Sequence, residues 1–240
     1  DPGRMRTGPC LLLLHGTFSD AVGAFKHLAT TRGGDGRTLF EALQGRYPGG
    51  VYAFNHFTIS QDPLDNARAL LEALPAGPVT IDAITHSRGA LVLRSLFERS
   101  AALPGADRLT LRTAVLVAGP NQGTPLASAE RWKQLADWVG NVIDLFPDNP
   151  FTTGLDFVVE LVTWLARAVG FTLPGLAAMN PEGDFIRAIQ SAPPPAGRLF
   201  VIGANTEPEA GWLARAVDVG VDGFFQMAND LVVPTAGSWL

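Results

Sequence analysis

Five short apolar runs, separated by longer amphipathic stretches, decide what this chain can fold into. Cys10–His15 is continuous apolar sequence ending in His-Gly, as suits a strand buried on both faces. Val51–Phe57, Val79–Thr85, Thr113–Ala118 and Arg198–Ala204 are the other strand candidates. After the second, Asp62-Pro63 supplies a capping carboxylate and a proline at the first helical position, and opens a helix to about Leu74. The third runs straight through Ser87-Arg88-Gly89 into a helix to about Arg99. Strands alternating with helices predict an α/β fold, a mostly parallel sheet with helices on both faces.

The spacing of these runs is uneven. About eighty residues without strand character part the fourth run from the fifth, too much for an ordinary connection. Two helices, Ala127–Phe146 and Gly154–Val169, are expected there with Pro147–Pro150 between them. We therefore expect a helical cap, residues 122–180, inserted within a single domain spanning 1–240. Its most apolar part, Leu155–Phe171, holds Asp156, Glu160 and Arg167, and is too short and too charged for a membrane-spanning helix.

Composition narrows the function classes. Hydrophobic residues are 47% of the 240 and charged residues 17%, which excludes a disordered chain and implies large apolar surfaces. The net charge is −5 and no Lys/Arg run occurs, so no nucleic-acid partner is expected. A single cysteine, Cys10, excludes an internal disulfide and a Cys-rich zinc site, and its apolar surroundings make it a small core residue. Asp1–Pro9 shows neither an initiator Met nor a signal-peptide pattern. We read that as a trimmed chain or a piece of a longer one, with the cytoplasm slightly favoured.

The segment with most chemistry is Val79–Ala90. A β-branched strand that passes within one residue through a serine into a helix puts that serine on a sharp turn, its hydroxyl at the carboxyl end of the sheet. Gly89 and Ala90 are small where strand and helix must approach. The usual pattern is Gly-x-Ser-x-Gly, and here Thr85 stands at the first glycine. A serine capping a core helix is the alternative. Acyl transfer by serine needs backbone N–H donors aimed at the developing oxyanion. One is expected from Arg88, the residue after the serine, and one from Thr17, in the loop after the first strand. His15 is read as a core histidine that ties loops together.

His15-Gly16-Thr17, Thr85-His86-Ser87-Arg88-Gly89, Gly119–Ala127 and Asn229–Pro234 occur in an order and spacing that resemble the α/β-hydrolase superfamily, in particular its bacterial lipase- and esterase-like serine hydrolases. The resemblance implies a nucleophile elbow at Ser87, an oxyanion hole from Thr17 and Arg88, Asp230 as the triad acid and a lid in the cap. Asp230 sits in a polar Asn-Asp pair before an apolar run, where a carboxylate could orient an imidazole. An Asx-turn is the alternative there, Asp218 and Asp222 are weaker candidates for the acid, and Asp82 is read as structural. The implied reaction is hydrolysis of carboxylic esters, lipid esters among them, with no metal or cofactor.

One member of the triad is missing. Chain order in this fold is serine, acid, histidine. The four histidines, His15, His27, His56 and His86, all precede Asp230. The expectation is therefore a histidine supplied from beyond residue 240, with His56 as a surrogate base the alternative. A non-catalytic hydrolase-like binding module within a larger multidomain protein is the rival reading. Expected partners are an acyl ester, a transient lipid interface through the cap, and other domains of a longer chain.

Overall fold

The computed structural model describes residues 2–127, 173–204 and 234–240. The predicted cap helices, Asp218, Asp222 and Asp230 lie outside these residues. Among the described residues five strands form one sheet: β1 (Cys10–Leu14), β2 (Val51–Phe54), β3 (Val79–His86), β4 (Leu109–Val117) and β5 (Arg198–Ile202). Their order is β2-β1-β3-β4-β5 and every pairing is parallel. The α/β architecture expected from the alternating runs is the one observed.

Four helices alternate with the first strands: α1 (Ala21–Thr30), α2 (Leu39–Arg46), α3 (Pro63–Ala73) and α4 (Gly89–Glu98). The shorter α5 (Pro174–Ala177) and α6 (Asp184–Gln190) precede β5. Asp62 caps α3 as predicted, accepting from the Asp65 N–H at 2.8 Å. The sequence reading passed over α1 and α2. Yet α2 opens on a capping box, in which Thr38 accepts from the Glu41 N–H and Glu41 from the Thr38 N–H. Asp20 caps α1.

Both faces of the sheet are covered. Leu12, Leu14, Ile81, Ala83, Ala114 and Leu116 face α3 and α4 and join Leu70, Leu71, Val92, Leu93 and Leu96 in the larger core. Leu11 and Leu13 pack on the opposite face with Tyr47, Phe25, Leu28 and Leu43. Every residue of β1 is buried, and Cys10 has no accessible surface. Strand limits moved where polar residues were misjudged. β4 begins at Leu109 rather than Thr113, because Leu109 and Leu111 are buried while Thr110 and Arg112 alternate outward. The register shifts beside Ile81 and Asp82 to absorb the extra residue.

Candidate active site

Ser87 lies between the end of β3 and the start of α4 with φ +51°. An L-residue rarely adopts this left-handed conformation without cause, and it persists only where the surroundings enforce it. Here the enforcement is visible. The Ser87 N–H donates to the Val117 carbonyl at 2.8 Å, and the Ser87 carbonyl accepts from Ala90 at 3.0 Å. Phe18 and Ala118 also have positive φ, at 58° and 48°, just after β1 and β4. All three strained residues thus gather at the carboxyl edge of a parallel sheet, where ligands bind in open α/β folds.

The β1 loop meets the serine turn directly. A Cβ on Gly16 would stand 2.7 Å from the Ser87 Cβ, so only glycine permits this approach. A Cβ on Gly89 would collide with the Leu14 carbonyl, which explains the small residue predicted there. Thr17 follows Gly16, and Arg88 follows Ser87. Among the described residues, neither the Thr17 N–H nor the Arg88 N–H donates to any acceptor. Unpaired amide donors are uncommon, and two that flank one hydroxyl-bearing turn are suited to receive an anion. Thr85, at the position of the pattern's first glycine, is fully buried with an unpartnered hydroxyl.

Two histidines back this edge. His15 is buried; its Nδ1 donates to the Gly16 carbonyl at 2.9 Å, and its Nε2 accepts from the His56 backbone N–H at 3.2 Å. With both ring nitrogens engaged this way the imidazole is the neutral tautomer. The His56 ring stacks on it, centroids 4.1 Å apart. Burial first, then the neighbouring His15 and Arg88, push the His56 pKa down to about 3. A group that weakly basic is a poor proton acceptor near neutral pH. His27 lies in the last turn of α1, and the exposed His86 precedes Ser87 in the chain.

Other predicted residues fall as follows. The Asp82 carboxylate receives Arg112 at 2.9 and 2.5 Å and the Tyr47 hydroxyl at 3.0 Å. Burial works to raise its pKa, but Arg112 and Tyr47 outweigh burial and hold it below the usual carboxylate range. Nothing in the sequence spacing signals that the Arg88 side chain turns inward and is fully buried, as its three partners lie in one loop and two helices far along the chain. Thr58 was also missed; its hydroxyl accepts from the Phe18 N–H at 3.4 Å, beside Thr17.

A family model described as "Domain of unknown function (DUF7379)" matches residues 1–239. No curated protein matches the chain in sequence. Among solved structures, the mature form of the Bacillus licheniformis lipase BlEst2 aligns over 97% of this chain and 80% of its own. Its identity is 16% and its TM-score 0.55. The propeptide form of the same lipase aligns over 97% of this chain and 43% of its own, at 15% identity and TM-score 0.55. At such identities the likeness concerns the fold, an α/β-hydrolase architecture.

Proposed function

Because the chain belongs to the DUF7379 family, whose description names no activity, we propose its function from the site itself: a carboxylic ester hydrolase of lipase or esterase type, acting through an acyl-enzyme on Ser87. The observation that carries this reading is the left-handed Ser87 turn, pressed against Gly16 between two amides without acceptors. The fold likeness to a lipase supports it.

In the proposed reaction Ser87 Oγ attacks the ester carbonyl and loses its proton to a base. The Thr17 and Arg88 N–H groups hold the oxygen on which charge develops. The tetrahedral intermediate collapses, the alkoxide takes the proton and departs, and water then hydrolyses the acyl-enzyme by the reverse proton path. Asp230 is the proposed carboxylate partner of the base. Neither His15 nor His56 suits the role of base, the first by its bonds and the second by its low basicity.

The one rival is a non-catalytic module that binds acyl ligands at the strained edge; the serine turn counts against it, and its support is that neither His15 nor His56 suits the role of base. A fluorophosphonate probe on the native-length protein separates the two. The hydrolase is expected to be labelled, and Ser87→Ala to abolish labelling. Labelling that survives the substitution excludes Ser87, and a native-length protein that neither labels nor cleaves short esters supports the module.

A further inference from the structure

Arg88 has no accessible surface, and among the described residues every acceptor of its hydrogen bonds is neutral; the carboxylate of Asp62 acts on it only through its charge. Its Nε donates to the Gly175 carbonyl at 3.3 Å. One terminal nitrogen donates to Asn66 Oδ1 at 2.8 Å and the other to the Gln61 carbonyl at 2.5 Å. Arginine is almost never fully buried unless paired, because desolvation of the charge is costly. Burial pushes its pKa down only to about 10, so the group stays cationic at neutral pH. Its charge also works against protonation of His15 and His56. A methionine would fill the same space without that cost, so the three directed bonds call for an explanation.

The partners supply it. Gln61 closes the loop after β2, Asn66 sits in the first turns of α3, and Gly175 lies in α5. The Gly175 N–H donates to the Ile59 carbonyl at 2.9 Å, and a Cβ on Gly175 would strike the carbonyls of Thr58 and Gln61. That same loop presents the Thr58 hydroxyl to Phe18, next to Thr17. One side chain therefore ties the serine turn to the loop that braces the Thr17 segment.

We infer that the Arg88 side chain is a positioning residue. Through Gln61, Asn66 and Gly175 it holds its own backbone N–H in register with that of Thr17, so that both donors converge on one oxygen. This inference rests on Ser87 being the nucleophile. The guanidinium fork suits the task, since its fixed planar donors lock three segments at once and a flexible ammonium cannot.

The test uses native-length protein, a short soluble p-nitrophenyl ester and fluorophosphonate labelling of Ser87, with melting curves for each variant. Arg88→Met should cut kcat and the labelling rate about a hundredfold with KM nearly unchanged, as befits a lost transition-state contact. Arg88→Lys, which keeps the charge, should fall between it and wild type. Asn66→Leu, remote from Ser87, should lower kcat about tenfold while the protein stays folded at the assay temperature. If Arg88→Met does not fold, the other two variants decide. Wild-type kcat and labelling in folded Arg88→Lys and Asn66→Leu would overturn the positioning role, as would a rise in KM at constant kcat. A wild-type protein that is neither labelled nor active sinks the serine reading and this inference together, an outcome distinct from the first.

Discussion

Arg88 and Arg94, at the start and in the body of α4, are both buried, and they differ in what meets the charge. Arg94 is closed upon by Glu98 one turn later, with Nε 2.8 Å from Oε1 and a terminal nitrogen 2.8 Å from Oε2. It also donates to the Asn121 carbonyl at 3.2 Å, and Asn121 in turn donates to the Ser238 carbonyl at 2.6 Å. That charge is neutralised within one helix, so its bonds can serve packing alone. Among the described residues Arg88 donates to neutral oxygens from three other segments, with Asp62 acting on it through charge alone. The contrast separates a charge that is part of the frame from one that is kept, at some cost in stability, beside the strained serine.

The pair is the place to press hardest. Glu98→Ala strands Arg94 without its counter-ion and should destabilise the fold by about 3–5 kcal/mol in chemical denaturation. The double replacement Arg94→Met/Glu98→Leu should recover most of that loss, since matched apolar groups often replace a buried pair without penalty. A Glu98→Ala protein as stable as wild type would erase the distinction between the two arginines.

A smaller effect lies in the acid range. His56 is held neutral in the fold and would charge freely once unfolded, so protons favour the unfolded chain. Its contribution is whole above the ordinary value of 6.5 and is lost as pH falls toward about 3, on the order of a few kcal/mol across that window. Asp82, held below the usual range, loses its contribution in the same direction. Glu98 runs the other way, because burial raises it against the pull of Arg94 and the fold favours its protonated form. His56→Phe should flatten the loss of stability between pH 6.5 and 4; an unchanged slope would show that the His15–His56 stack is not the acid-sensitive element.

The gentlest change makes Arg88 resemble Arg94. Asn66→Asp places a carboxylate where the guanidinium now meets an amide oxygen. A carboxylate directly bonded to the guanidinium should raise stability by about 1 kcal/mol, or roughly 2–4 °C in Tm. A fall in Tm would mean that the neutral cradle already satisfies the cation.

The strands were legible because apolar runs in a sheet covered on both faces have no polar interruption, as in Cys10–Leu14. The Asp62-Pro63 helix start was legible for the same local reason. α1 and α2 were passed over although Thr38 and Glu41 spell a capping box; neither helix has a fully buried residue, and Phe25, Leu28 and Leu43 only partly cover the sheet. In the site, the sequence pointed to Ser87, Thr17 and the Arg88 amide through local strand-turn-helix grammar. The inward turn of the Arg88 side chain was hidden. Its partners are fixed by how α3 and α5 pack, and sequence spacing carries no trace of a loop and two helices meeting around one guanidinium. The His15–His56 stack was hidden likewise, since it joins the ends of two strands that become neighbours only in the sheet.

The strand order has a consequence for how the chain reaches this state. β1 joins β2 and β3, which come earlier in the chain, whereas β5 pairs Arg198–Ile202 with Thr113–Val117 across the longest separation among the described strands. Parallel pairing across such distances is slow, because loop-closure entropy must be lost before contacts repay it. On this ground β5 is expected to dock last, leaving the β4 edge open to other chains until it does. Pulsed hydrogen exchange during refolding should find the amides of β3 protected before those of β5. Crowded refolding should lose material to aggregation in that interval, and simultaneous protection of both strands would refute the sequence of events.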